Sequence, residues 1–214
     1  LVLALIERMS PTELVTNTKM LERLGVKEVP ALRAAFEEGL KKAAESKKTT
    51  FKATRAAEAI GDEKLKAKLV ATQEKQIAKI GGVDGSWLVL GDKSGSMAST
   101  IEIARQVAGT LAKMVTGKVF LCFFDVSPTM MEITGHTYDE IIRKTKSIKS
   151  AGGTSIGVGL DSILARKEII DGIAIISDAA ENCPPFFRDV YKRYSAFAEK
   201  EVPVYLYRCK MEQH

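Results

Sequence analysis

Across residues 1–80, apolar positions recur every three or four residues in a background rich in Ala, Leu, Lys and Glu, the period of amphipathic helices. Ser10, Pro11 and Glu13 form a start signal, a capping serine with proline at the first helical position, which predicts a helix from Pro11 to about Gly25. Further helices are expected at about 29–46, 51–60 and 62–80, most simply arranged as antiparallel pairs. The pattern changes at Gly81, Gly82 and Gly85. Short apolar runs then begin, at Trp87 to Leu90, Val119 to Phe124, Ile173 to Ile176 and Val202 to Tyr207, of the kind buried as strands. They alternate with helical stretches at about 100–115, 138–146, 156–166 and 185–200. Such alternation predicts βαβ units, so the second part reads as a doubly wound α/β fold with a mainly parallel sheet and helices on both faces. Residues 130–134 could add one antiparallel edge strand. The chain is thus expected to comprise an α-helical segment of repeat type over 1–80 and an α/β domain over 86–214.

A length of 214 residues accommodates two such units, since domains run to roughly 100–200 residues. With 45% hydrophobic and 28% charged residues, each can bury a core without disulfides. No apolar run approaches the ~18 residues that span a bilayer, and Glu7 and Arg8 interrupt the opening stretch, so neither a signal peptide nor a membrane span is expected. Cys122, Cys183 and Cys209 are odd in number and lack Cys-x-x-Cys spacing, which points to free thiols in a reducing, cytoplasmic setting. Charge divides unevenly. Residues 1–80 hold 16 Lys and Arg against 11 Asp and Glu, whereas the rest hold 16 of each, so the formal net charge of +5 resides in the helical part.

Ligands of a doubly wound sheet bind beyond the carboxyl ends of its strands, and three polar segments are expected there. They are Gly91 to Met97, Gly152 to Ser155, and Ser177 with Asp178. The spacing of Asp92, Ser94 and Ser96 turns alternate side chains to one side of a loop. Thr154 adds a hydroxyl, and Asp178 adds charge directly or through a water. An all-oxygen set suits a hard cation, Mg2+ or another divalent ion such as Mn2+ or Ca2+. Two carboxylates leave such an ion incompletely neutralised, so an open position would attract an anionic oxygen. A blander role for Asp92, Ser94 and Ser96 is capping of the following helix.

At these residues the sequence resembles the von Willebrand factor A family, whose metal-ion-dependent adhesion site reads Asp-x-Ser-x-Ser, then Thr, then Asp. All five positions are matched in order, by Asp92, Ser94, Ser96, Thr154 and Asp178, and the resemblance covers about residues 86–210. Lys93 departs from it, because a cation beside the metal could weaken binding; its side chain is expected to point to solvent. The stretch from Met9 to Asn17, with Leu21 to Gly25 and Val26, looks like a helical repeat of the TROVE module of the Ro autoantigen family. That likeness implies an RNA-binding ribonucleoprotein component, whose partners would be small non-coding or misfolded RNA. Residues 1–80 are far fewer than a complete ring of such repeats requires.

Lys41, Lys42, Lys47, Lys48, Lys52 and Arg55 form the densest basic patch, able to neutralise phosphates or simply to solvate a helix face. Phe186, Phe187, Tyr191, Tyr194 and Phe197 have helical spacing that marks packing against a sheet more than base stacking. His136 is isolated in a turn and expected on the surface, and Cys183 lacks a His or Asn partner and is expected to be inert. Catalysis is not expected. Asp92 stands where a phosphatase nucleophile would, but the second acid due two residues later is Ser94, and no phosphate-loop order is present. The expected function is RNA binding with a divalent-cation adhesion site; the alternative is a cytosolic module that engages an acidic protein through the metal.

Overall fold

Ser10 accepts from the Glu13 amide at 3.3 Å while the Glu13 carboxylate accepts from the Ser10 amide at 2.9 Å, a reciprocal capping box that starts a helix at Pro11. The computed structural model describes residues 1–45, 67, 71 and 82–209, and the chain divides into two units, Leu1–Gly81 and Gly82–His214. In the first lie α1 (Val2–Arg8), α2 (Pro11–Thr16), α3 (Thr18–Arg23) and α4 (Pro30–Glu45). The single helix expected from Pro11 to Gly25 is split at Asn17. There the Thr16, Asn17 and Thr18 side chains all bond back to preceding carbonyls, at 2.8 to 3.1 Å, and compete with the helical ladder. Gly25, at φ +87°, ends α3 with paired bonds from Gly25 N to Glu22 O and Val26 N to Leu21 O.

The sequence pattern did not anticipate α1, yet Ile6 is buried with Leu14, Val15, Leu21, Val26, Phe36, Leu40 and Ala43 in one core. The helices expected at 51–60 and 62–80 fall outside the described residues. Among the described residues, no helix is long and apolar enough to cross a membrane.

The second unit runs β1 (Trp87–Asp92), α5 (Ala98–Met114), β2 (Val119–Phe124), β3 (Pro128–Glu132), α6 (Tyr138–Thr145), α7 (Gly157–Ala165), β4 (Gly172–Ser177), α8 (Phe187–Ala198) and β5 (Val204–Arg208). Its sheet has the order β3-β2-β1-β4-β5, parallel except for the antiparallel β2–β3 pair. This is the doubly wound α/β fold, with the extra edge strand where residues 130–134 allowed one. Leu88, Leu90, Phe120, Phe124 and Ile173 point to one face against Leu160, Ile163, Val190 and Tyr194. Val89, Val119, Leu121, Phe123 and Ile176 point to the other, against Ile101, Ala104, Ala108 and Ile141. Burial of both faces is why these strands read as unbroken apolar runs. β5 is different: it is an exposed edge, where Tyr205 stacks on Trp87 with ring centroids 5.7 Å apart.

Two contacts set where β1 ends. A Cβ on Gly91 would come within 2.6 Å of the Ala104 Cβ, so only glycine lets α5 lie this close to the strand. At the opposite end of β1, Asp171 accepts from the Ser86 amide at 2.7 Å and pairs with Lys200.

Gly91→Ala should overpack the α5 contact and cost about 1–3 kcal/mol, read from urea unfolding. The Lys200 ammonium, followed by the Ser86 amide, holds the Asp171 carboxyl below the usual carboxylate range. A carboxyl lowered on folding stabilises fully above its unfolded value, about pH 4, and that contribution fades as pH falls through the lower folded value. Asp171→Asn should therefore lower the melting temperature near pH 7, with the gap to the parent closing as pH drops towards 3.

Candidate metal centre

β1 and β4 are parallel neighbours in register at Gly91 and Ile176, which sets Asp92 level with Ser177. The Ser177 hydroxyl donates to Asp92 Oδ2 at 2.6 Å, while Asp92 Oδ1 accepts from the Ser94 amide at 2.9 Å. Asp92 is fully buried. Ser177 Oγ also accepts from the Ala179 amide at 3.0 Å, and Asp178 Oδ1 accepts from the Ala180 amide at 2.9 Å, a tight turn that holds Ala179 at φ +65°. Burial pushes the Cys209 thiol up; the Thr100 hydroxyl opposes this, and the carboxylates of Asp92 and Asp178 add to it. One thiol thus feels both acids of the expected site.

Thr154 arrives from the loop between α6 and α7, and its main chain is held on both sides. Its amide donates to Asn182 Oδ1 at 2.9 Å, and its carbonyl accepts from the amides of Asn182 and Cys183, each at 3.0 Å. Glu181 accepts from the amides of Ile156 at 2.6 Å and Gly157 at 3.0 Å, and from that of Phe187 at 3.0 Å, so one carboxylate covers the starts of α7 and α8. The segment following Asp178 therefore carries the Thr154 loop. The same loop is tied to the first, with Ala151 N donating to Lys93 O at 2.8 Å and Gly95 N to Gly152 O at 3.3 Å. The three expected segments meet at the carboxyl end of the sheet.

Lys93 corrects the sequence reading. It is only 8% exposed, and its ammonium is paired with Asp125 and not turned to solvent. Asp125 directly follows β2, whose Phe124 is in register with Asp92, so the neighbouring strand delivers the counter-charge. Burial raises the Asp125 carboxyl, but the Lys93 ammonium and bonds from the Ser127 amide and hydroxyl, at 2.7 and 2.9 Å, outweigh it and hold the group below its ordinary value.

The hydroxyls decide what these loops can do. Those of Ser127, Ser155 and Ser177 are spent on Asp125, Pro185 O and Asp92. Among the described residues, the hydroxyls of Ser94, Ser96 and Thr154 make no side-chain hydrogen bond, although Ser94 and Thr154 are 4% and 5% exposed. Nor do they cap α5, whose N-cap is Met97 without a side-chain bond. Among the described residues, the fully buried hydroxyls left without a partner are those of Thr100 and Ser195, so the Ser94, Ser96 and Thr154 hydroxyls still reach solvent. Three hydroxyls on the loops that bear Asp92 and Asp178 are hard-oxygen donors, of the chemistry a divalent cation such as Mg2+ takes. Among the described residues, no group of three or more His, Cys, Asp or Glu is placed to hold a metal ion.

Asn182, Glu181 and Asp125 were not singled out from sequence, and Ser177 was named only beside Asp178, without its bond to Asp92. Their partners lie 24 to 85 positions away, as Glu181 to Gly157 and Ser177 to Asp92 show, and no local pattern announces such bonds. Of the aromatic series on α8, Tyr194 is fully buried and Phe187 and Tyr191 pack on the sheet, whereas Phe186 and Phe197 are exposed. His136 sits in the turn before α6, its ring against Thr134 O at 3.2 Å. Cys183 lies half-buried with Sγ 3.2 Å from Asn182 Oδ1, and burial pushes the Cys122 thiol up to about 12. Of the basic patch, Lys41 and Lys42 are exposed on α4, and Lys47, Lys48, Lys52 and Arg55 lie outside the described residues.

The sheet order and the cluster of loops at its carboxyl end define the class: a von Willebrand factor A-like doubly wound α/β unit, preceded by helices. Among solved structures, the chain is similar to the RO (RSR) protein of Deinococcus radiodurans, with a TM-score of 0.68 at 14% identity, over 91% of this chain and 45% of that one. It therefore spans less than half the length of that protein, and the likeness is one of fold. Looser likenesses are to an aerotolerance-related membrane protein from Bacteroides fragilis (TM-score 0.44, 19% identity, 58% of this chain and 66% of that one) and to BatB from Bacteroides thetaiotaomicron (0.39, 25%, 58% and 65%). No protein-family model matches the chain, and no curated protein matches it in sequence.

Asn182→Ala would strip the Thr154 amide of its acceptor in a half-buried site. The expected cost is about 1–3 kcal/mol in chemical unfolding, and a loss below roughly 0.5 kcal/mol would show that the Thr154 loop is held elsewhere.

Proposed function

We propose that this chain is a binding protein of Ro type: a divalent cation is held by Asp92, Ser94, Ser96, Thr154 and Asp178, and RNA is met by the basic helical unit. The observation that carries the metal reading is the trio of hydroxyls without hydrogen-bond partners, Ser94, Ser96 and Thr154, at the loops that also bear Asp92 and Asp178. A bound Mg2+, Mn2+ or Ca2+ would supply a Lewis-acidic position open to a carboxylate or phosphate oxygen. The chain's own part is to hold the donors in place: Ser177 fixes one Asp92 oxygen, the Ser94 amide the other, and Asn182 the Thr154 main chain. Both oxygens of Asp92 are engaged and no acid stands at position 94, which favours binding over hydrolysis.

The RNA reading is supported by the fold likeness to the RO (RSR) protein, by the concentration of the excess positive charge in residues 1–80, and by the exposure of Lys41 and Lys42. An acidic protein bound through the cation is the competing reading, favoured by the same open oxygen site.

Mg2+ should raise the melting temperature of the parent, since a ligand of the folded state stabilises it by mass action. Asp92→Ala should abolish that rise while the protein stays folded; an undiminished response would put the metal elsewhere.

RNA affinity should fall linearly with log salt, with a slope of about −0.7 per phosphate met by a single strand. Changing Lys41, Lys42, Lys47 and Lys48 to Gln should flatten the slope by ~2 to 3 units and Asp92→Ala should leave it unchanged. If only the Asp92 variant loses RNA, the ligand binds through the metal and the basic helices are not its site.

A further inference from the structure

Lys93 gives the loop proposed to hold a divalent cation a buried positive charge, next in sequence to Asp92 and directly before Ser94, with its ammonium on Asp125. Its ammonium is not screened by water, because Lys93 is only 8% exposed. Resting on the metal reading above, we propose that Asp125 is the charge-compensating residue of this site: by neutralising Lys93 it makes the Asp-Lys-Ser-Gly-Ser loop electrostatically competent to take a divalent ion.

Three observations converge on this role. Asp125 is 9% exposed and meets the Lys93 ammonium through Oδ2. Its other oxygen is immobilised by the Ser127 amide at 2.7 Å and the Ser127 hydroxyl at 2.9 Å, so the carboxylate is fixed on Lys93 and is not a wandering surface acid. Finally, the loops do not need this pair to stay together. Lys93 N donates to Phe124 O, Ala151 N to Lys93 O and Ser155 N to Asp125 O, each at 2.8 Å, and all three are main-chain bonds that survive a change of side chain. With position already secured, what the two side chains contribute is the balance of charge. Without the carboxylate, a buried ammonium would face the incoming ion as a like charge; without both, the loop would again be neutral.

The test is calorimetric titration of Mg2+ into the full chain as parent, D125N, K93M and K93M/D125N, with thermal unfolding of each to confirm the fold. D125N should weaken Mg2+ binding about tenfold or more. K93M/D125N should return to within about threefold of the parent, and K93M should bind at least as tightly as the parent. A double variant as weak as D125N would overturn the proposal in favour of a mechanical clamp, and so would a D125N variant that binds like the parent. If D125N alone does not fold, the neutral pair decides: affinity near that of the parent supports compensation, and a tenfold loss overturns it. A parent that takes up no Mg2+ overturns the metal reading itself, an outcome distinct from all of these.

Discussion

The close packing of α5 on β1 is the constraint from which the rest of the second unit follows. β1 is central, hydrogen-bonded in parallel to β2 on one side and β4 on the other, and buried on both faces. A parallel sheet can be closed only by crossovers that cover its faces, so every connection leaving β1, β2 and β4 begins at the same edge. Gly91 admits the Ala104 methyl where any side chain would collide, and the chain turns immediately afterwards. Asp92, Asp125 and Asp178 thus gather at one end of the sheet, each in the first residues after, or the last of, an apolar strand.

Gathering acids at one end creates an electrostatic problem that the loops solve with fixed partners. Asp92 is stabilised by a hydroxyl from the adjacent strand and an amide from its own loop; Glu181 is spread over the amides that start two helices; Asp125 is matched with Lys93. Buried charges kept in this way are rigid, and removing one partner is more damaging than removing the pair. Within this well-satisfied region the hydroxyls of Ser94, Ser96 and Thr154 stand out as donors still available.

The two units are built on different physics. The helical one holds, among the described residues, one small core and carries the chain's excess of positive charge. The α/β one is charge-balanced and gathers its polar loops at the carboxyl end of its sheet. The chain's fold is like that of the RO (RSR) protein at only 14% identity. That is expected when patterning, and not particular contacts, specifies the layers.

Local signals in the chain were enough for the architecture. Apolar runs of strand length alternating with helical periods announced β1, β2 and β4 and the helices between them, because burial on both faces of a parallel sheet leaves an unbroken trace in one dimension. The Ser10 capping box and the Gly25 stop were legible for the same reason, each being a contact between residues three to five apart. Asp92, Ser94, Ser96, Thr154 and Asp178 were named from residue types in a recognisable order, at the ends of β1 and β4 and in the loop before α7. Tertiary structure alone decided the rest. It left β5 exposed as an edge, although Val202 to Tyr207 reads as a buried strand. It also turned Lys93 inward, because its partner, Asp125, lies 32 positions away and reaches it only once β1 and β2 pair in register. Periodicity records which face a residue presents; it holds no record of what waits on the next strand.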